Sequence, residues 1–467
     1  MNRKSGILLP VFSLPSRFGC GNFGRGAYEW IDMLYKCGFS LWQLLPLGIT
    51  DNYNSPYASL SSFAGNPYFI DPEELYRLGL VTTEELKAEE VEERFVCRYD
   101  VLASKRYSFL KKAASRVKSR IPIEKFLEAN PNIKESCLFL AKKESPANAL
   151  SDADLFAHQF IQYEFHRQWH NLRSYANERG IQIIGDMPFY VSPDSYDVYS
   201  SPELFMLDRD GYPAEVAGVP PDSFAKEGQY WGNPVYNFDA MEKDGYRYFC
   251  DRLSYMLDMF DGVRIDHFRA ISAYWSIPQN AMSAKEGRWV KGPGKKLIDA
   301  IRPLTGGRLI LAESLGVMDD DTEELLRYSG YPGMSVFQFG FDGNQDSPHL
   351  PHNYEKNLVA YTGTHDNNTM LGFIFDLDDK RRSAVLDYLG RPNDVVLESI
   401  RILLMSRADT VIFPLQDLLS YGADTRINTP GVAVGNWQYR VTREQLDSVD
   451  RRMLLKMNKM YGRYHIP

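Results

Sequence analysis

Short apolar runs separated by helical stretches recur from one end of this chain to the other. That alternation limits the fold more than any other feature. The runs are GILLPVFSL (6–14), FSLWQLLPLG (39–48), IQIIGDMPFYV (181–191), GVRIDHF (262–268), LILAESL (309–315), MSVFQFGF (334–341), LVAYTGTHDN (358–367) and TVIFPLQDLL (410–419). Between most of them the apolar residues switch to a helical period, most clearly in ADLFAHQFIQYEFHRQWHNLRSYANERG, which closes on Gly180 as a helix C-terminus should. Strand and helix alternating about eight times predicts an α/β fold, a (β/α)₈ TIM barrel. A doubly wound open sheet would normally show a Gly-rich phosphate turn directly after a strand, and no G-x-G-x-x-G stands in that context. Two gaps exceed a single crossover helix. Residues 72–150 carry charged, helix-prone sequence such as TTEELKAEEVEERF, opened by a capping-box pattern from Thr82 to Glu85. They read as a helical insertion between the second and third strands. Residues 192–261 form a second insertion, punctuated by Pro and Gly, of the kind that covers a binding cleft.

Charge and cysteine usage narrow the function classes. A net charge of −8 lacks the basic excess of a general nucleic-acid binder. Five cysteines without metal-ligand spacing read as reduced thiols of a cytoplasmic protein. Pro10 and Ser13 break the apolar start short of a signal sequence, and no run reaches the length of a membrane helix. Neither membrane nor nucleic acid is expected as a partner.

In such a barrel, chemistry collects at the C-terminal strand ends. Those ends carry Asp186 after IQIIG, Asp266 and His267 after GVRI, Glu313 after LILA, and His365 with Asp366 after LVAYTGT. Each carboxylate follows an apolar strand, where burial is costly without a partner. Several carboxylates at one barrel mouth, without His-x-His spacing, point to glycosidic chemistry and to no metal or other cofactor. One acid must protonate a leaving oxygen while a second carboxylate attacks as nucleophile or acts as base. Glu313 sits in a desolvating context that suits the acid. In FDGVRIDHFRA (260–270), strand alternation would put Arg264, Asp266 and Phe268 on one face and Val263, Ile265 and His267 on the other. The Arg264 cation beside Asp266 would keep that carboxylate ionised, as a nucleophile requires. Tyr57 and Trp231, in loops rich in Gly, Pro and Asn, are candidates to stack on sugar rings.

Long motifs in order along nearly the whole chain resemble the amylomaltase-type 4-α-glucanotransferases of glycoside hydrolase family 77, a branch of the α-amylase superfamily. They include GILLPVFSLPSRFGCGNFG (6–24), SPYASLSSFAGNPYFID (55–71), IIGDMPFYVSPDSYDVY (183–199), VPPDSFAKEGQYWGNPVY (219–236), FDGVRIDHFR (260–269), LAESLG (311–316), YTGTHDNNT (361–369), PLQDLL (414–419) and NTPGVAVGNWQYR (428–440). The resemblance implies a barrel with inserted, mainly helical subdomains, no separate C-terminal β-domain and no cofactor. It implies malto-oligosaccharides and α-glucans as donors and acceptors, and Asp266 as nucleophile, Glu313 as general acid/base and Asp366 as stabiliser of the oxocarbenium-like sugar. Arg264 would hold Asp266, His267 and His365 would bind hydroxyls, and Ser55, Tyr57, Asp186, Gln229, Trp231, Asp342 and Asn436 would surround the glucan. Residues 219–234 correspond to the family's covering loop. CGNFG (20–24), GITDNYNSPY (48–57) and Tyr439 depart from the usual pattern, away from the three carboxylates.

Overall fold

The computed structural model describes residues 3–145, 150–221, 226–316 and 318–464. Eight strands overlap the eight apolar runs: β1 Lys4–Leu8, β2 Leu41–Gln43, β3 Gln182–Met187, β4 Gly262–Ile265, β5 Leu309–Ala312, β6 Gly333–Val336, β7 Leu358–Tyr361 and β8 Thr410–Pro414. All are parallel, and the hydrogen-bonded order runs β6-β7-β8-β1-β2-β3-β4-β5. Two bonds close the ring between β5 and β6: Ala312 N–H donates to the Pro332 carbonyl (3.0 Å) and Met334 N–H to Ser314 Oγ (3.0 Å). A closed parallel barrel is covered on both faces, so its strands read as continuous apolar runs. Each run outlasts its strand, because the apolar sequence continues into the turn that carries the site residues.

Helices cover the barrel. The longest, Asp152–Glu178, starts on a Ser151 side chain that accepts from Asp154 N–H, and Gly180 beyond its end takes φ +70°. It buries Phe160, Phe165, Trp169 and Leu172. The Phe165 and Trp169 rings close on Phe23, and Trp169 also meets Phe260. Close helix–strand contact leaves little room at β3: a Cβ on Gly185 would lie 2.3 Å from the Phe260 ring. The G-x-G-x-x-G string Gly19–Gly24 lies well past β1 and is filled by protein, since a Cβ on Gly21 would lie 1.9 Å from the Val11 carbonyl oxygen.

Between β2 and β3 lie the helices Thr83–Ala88, Tyr99–Ser115, Ile121–Ala129 and Pro131–Glu144. The first opens on the Thr82–Glu85 capping box, with both reciprocal bonds present. Residues 146–149, at the end of the expected 72–150 insertion, lie outside the described residues. The segment between β3 and β4 is not purely helical. Glu215–Val219 and Gln229–Pro234 pair antiparallel, and the sheet continues through Ala273–Pro278 and Arg288–Lys291, which lie between β4 and β5. The expected covering loop 219–234 is therefore largely a hairpin; its residues 222–225 lie outside the described residues.

The five cysteines are free thiols, four of them buried. Among the described residues no helix is long and apolar enough to cross a membrane.

Candidate active site

Strand register brings the acidic residues together. Asp186 in β3 is paired with Arg264 in β4, and Ile265 at the end of β4 is paired with Ala312 at the end of β5. The next residue on each of these last two strands is Asp266 and Glu313. Neighbouring strands lie about 4.8 Å apart, so the two carboxylates leave the barrel rim side by side.

The chain does not continue as a strand past Ile265. His267 takes φ +46°, which turns its backbone N–H onto Glu313 Oε2 (2.8 Å). The alternation expected for residues 266–268 therefore stops at the rim, because Glu313 needs that donor. Leu315 N–H donates to the other oxygen, Oε1 (2.9 Å). Glu313 keeps part of its surface on the cleft, with protein around the rest. Burial lifts its carboxyl to about 7; the Arg264 cation and the two backbone donors oppose the rise, and Asp266 adds to it.

Arg264 is the hub of the site. Its Nη1 lies 2.8 Å from both oxygens of Asp186 and 2.9 Å from Asp266 Oδ1. The Arg264 side chain is 5% exposed, Asp186 0% and Asp266 26%. So one cation serves two carboxylates, of which only Asp266 faces the cleft. The Asp186 side chain has no exposed surface, and both its oxygens are engaged by Arg264 and Tyr57. Burial pushes the Asp186 carboxyl up, and Arg264 pulls against that rise.

The network continues across the barrel. Tyr57 O–H donates to Asp186 Oδ2 (2.8 Å), and Tyr57 Oη lies 2.9 Å from His365 Nε2. A tyrosine has one hydroxyl proton, so His365 Nε2 carries a hydrogen and donates to Tyr57. The same nitrogen is 3.3 Å from Asp366 Oδ2. The Tyr57 and His365 rings stack with centroids 5.4 Å apart, and Trp437 lies against both. Asp366 is 42% exposed on its side chain, open to the cleft. Burial pushes its carboxyl up, but His365, the Asn428 amide and Arg264 outweigh that and hold it at about 2. Burial pushes the His267 imidazole down to about 4, so it is neutral at pH 7.

The remaining sequence candidates fall into two groups. Trp231 lines the cleft, its ring 4.9 Å from His267 and edge-on to it, 38% exposed, with its N–H donating to Gln229 Oε1 (3.1 Å). Ser55 Oγ accepts from Tyr57 N–H (3.3 Å). Asn436 braces its own loop, accepting from Thr429 N–H (2.9 Å) and donating to the Val432 carbonyl (2.7 Å). Asp342 is exposed on the loop after β6 and accepts from Asn344 N–H (2.9 Å). Sequence reasoning missed Trp437, Asn428, Arg426 and Asp417. Only the motifs that contain Trp437, Asn428 and Asp417 marked their neighbourhoods.

The arrangement offers a protonated carboxyl beside a carboxylate, a third carboxylate across the cleft and flat rings along it. Such a set can exchange a glycosidic bond. Among the described residues no group of three or more His, Cys, Asp or Glu side chains is arranged to hold a metal ion.

Comparison with known proteins agrees with the geometry. The glycoside hydrolase 77 family model, described as 4-alpha-glucanotransferase, matches residues 9–152 and 142–446. A 4-alpha-glucanotransferase of Aquifex aeolicus is 40% identical, the match covering 99% of both chains. One from Thermus thermophilus is 38% identical over 94% of this chain and 95% of its own. The solved amylomaltase from Streptococcus agalactiae, in complex with acarbose, superposes with a TM-score of 0.95 at 36% identity, covering 99% of this chain and 100% of that one. The chain belongs to glycoside hydrolase family 77, the 4-alpha-glucanotransferases.

Proposed function

We propose that the barrel mouth transfers α-1,4-glucan segments between malto-oligosaccharides by retaining double displacement, with Asp266, Glu313 and Asp366 as the working carboxylates. The observation that carries this reading is the pairing of Asp266 and Glu313 at neighbouring strand ends in unlike surroundings. Asp266 has a cation at 2.9 Å; burial holds a proton on Glu313 up to about pH 7. The strand spacing of about 4.8 Å agrees with the separation of about 5–5.5 Å that retaining enzymes use.

In the first step Glu313 protonates the glycosidic oxygen while Asp266 attacks the anomeric carbon. A covalent β-glycosyl-enzyme forms and the reducing-end fragment leaves. Glu313, now ionised, takes the proton of an acceptor's 4-hydroxyl as that oxygen displaces Asp266. Asp366 faces the sugar as positive charge builds at the anomeric centre and the ring oxygen. Arg264 orients Asp266, and the neutral His267 imidazole, together with His365, hydrogen-bonds sugar hydroxyls. Trp231 stacks on a ring. A sugar acceptor must beat water, which is far more concentrated, so the acceptor side has to hold the incoming hydroxyl in line. Free thiols agree with a reducing compartment, and the same reading puts the enzyme in the cytoplasm.

Incubation with maltotriose tests it. Transfer gives glucose together with oligosaccharides longer than maltotriose, whereas glucose and maltose alone would mean hydrolysis. Asp266→Asn should end turnover and leave maltoheptaose binding intact; surviving turnover would refute the assignment of the nucleophile.

A further inference from the structure

The loop that carries His365 and Asp366 is turned by its own bonds, with Thr364 N–H donating to Asn367 Oδ1 (2.9 Å) and Asp366 N–H to Thr364 Oγ1 (3.3 Å), and is anchored from outside. Residues 362–370 leave β7 and enter the helix Met370–Asp376; Gln338 Nε2 donates to the Asn368 carbonyl (2.8 Å), and the segment after β8 grips the stems and the His365–Asp366 pair. Asp417, 1% exposed, accepts from Thr362 Oγ1 (2.5 Å) at the start of the loop and from Met370 N–H (2.7 Å) at its end. One carboxylate thus ties both stems. Further along, Asn428 N–H donates to the His365 carbonyl (3.1 Å), and Asn428 Nδ2 donates to Asp366 Oδ1 (2.6 Å). The Arg426 guanidinium bridges the Asn428 carbonyl (2.7 Å) and the Asp366 carbonyl (2.5 Å).

We infer that Asn428 is a positioning residue for the glycosyl-transfer step, fixing the direction in which the Asp366 carboxylate meets the sugar, with Arg426 and Asp417 as its frame. The inference rests on the role proposed above for Asp366. The geometry supports it in two ways. Asp366 Oδ2 is turned toward His365, and among the described residues only Asn428 bonds Oδ1, so without it the group can rotate. The Asn428 side chain also donates, which favours the ionised form of its partner. The other charged or titratable groups around Asp366 are His365, Arg264, Arg426 and Tyr57. None of them meets Oδ1 directly among the described hydrogen bonds.

Asn428→Ala and Asn428→Asp test it in the full-length enzyme. The alanine variant should lose about 10- to 100-fold in kcat, as expected when a catalytic group is misplaced by around 1 Å, with KM for maltotriose within about 3-fold. The aspartate variant is close to isosteric. It sets a second carboxylate against Asp366, and two carboxylates sharing one site raise a pKa strongly. Its acidic limb in the pH profile of kcat/KM should move up by about one unit or more, with a melting temperature near the wild type. If the Asn428→Asp profile superimposes on the wild type, or Asn428→Ala keeps its kcat, the inference fails. An Asp366→Ala control separates the two readings. If that variant remains active, the role given to Asp366 is wrong; if it is inactive while the Asn428→Asp profile is unmoved, only the positioning inference falls.

Discussion

Removing the shared cation gives the sharpest test of the site's electrostatics. Arg264→Met keeps much of the side-chain volume but strips Asp186 and Asp266 of a partner held at 2.8 and 2.9 Å. Breaking a buried pair by deleting one member costs about 3–5 kcal/mol. Most of that cost falls on Asp186, because its side chain is 0% exposed. Asp266, at 26%, can turn to water. An unfolding entropy of about 2.1 cal/mol/K per residue over 467 residues comes to about 1 kcal/mol/K. The melting temperature should therefore fall by about 3–5 °C. Adding Asp186→Asn removes the stranded charge, so the double variant should recover about half of the loss, a coupling of about 2 kcal/mol. The deficit should also depend on pH. In Arg264→Met the folded-state pKa of Asp186 lies above its unfolded value of about 3.9. Stability is then intact below about pH 4 and lost as pH rises through the folded value, so the gap to the wild type widens between pH 5 and pH 8. Scanning calorimetry of wild type, both single variants and the double variant at the two pH values reads all of this. Strictly additive losses, or a gap that does not grow with pH, would refute the shared-cation account.

Three shorter predictions follow from other parts of the site. In the proposed mechanism Glu313 carries its proton into the first displacement, so kcat/KM should decline on the alkaline side with an apparent pKa near 7; in Glu313→Gln that limb should vanish along with most of the turnover, and a limb kept by a residually active variant would assign it elsewhere. Trp231→Ala removes the half-exposed ring beside His267 and should weaken maltoheptaose binding by about 1–2 kcal/mol, measured by calorimetry, the worth of an aromatic contact plus its burial; unchanged affinity would show that the ring does not stack on the glucan. Gly185→Ala drives a methyl toward the Phe260 ring, 2.3 Å from the ideal Cβ position, and should cost about 1–3 kcal/mol of stability by overpacking; an unchanged melting temperature would mean that β3 and the ring move apart freely.

What could be read in advance divides along physical lines. The barrel strands were legible because burial on both faces leaves an unbroken apolar run. Their ends were not, since Asp266–Phe268 and Glu313–Leu315 follow on from the same runs but form turns. The antiparallel sheet escaped notice for a different reason. GQYWGNP looks like a loop on local composition, yet Gln229–Pro234 is a strand because Glu215–Val219 offers it an edge. Pairing with a partner strand overrides local propensity in this way. The carboxylates stood out as charges in apolar strings. Asn428 and Arg426 could not, because an amide or a guanidinium in a polar loop is ordinary until its partner 60 or so residues away is known. Asp186 shows the converse: a strand-end acid stood out at once, while its burial and its bonds to Arg264 and Tyr57 could be seen only in the fold.

The four-stranded sheet has a consequence for anyone rebuilding this cleft. Two of its strands, Glu215–Val219 and Gln229–Pro234, precede β4, and two, Ala273–Pro278 and Arg288–Lys291, follow it. The strand that ends at Asp266 therefore lies in sequence between the two halves of the wall that carries Trp231. A chimera that imports only the 192–261 segment from a relative would set foreign strands against a native partner edge, at the Val216–Ile277 and Gly218–Trp275 pairs. The wall that carries Trp231 is thus not portable as a single cassette. A working graft has to carry residues on both sides of Asp266, and so has to pass through β4 itself.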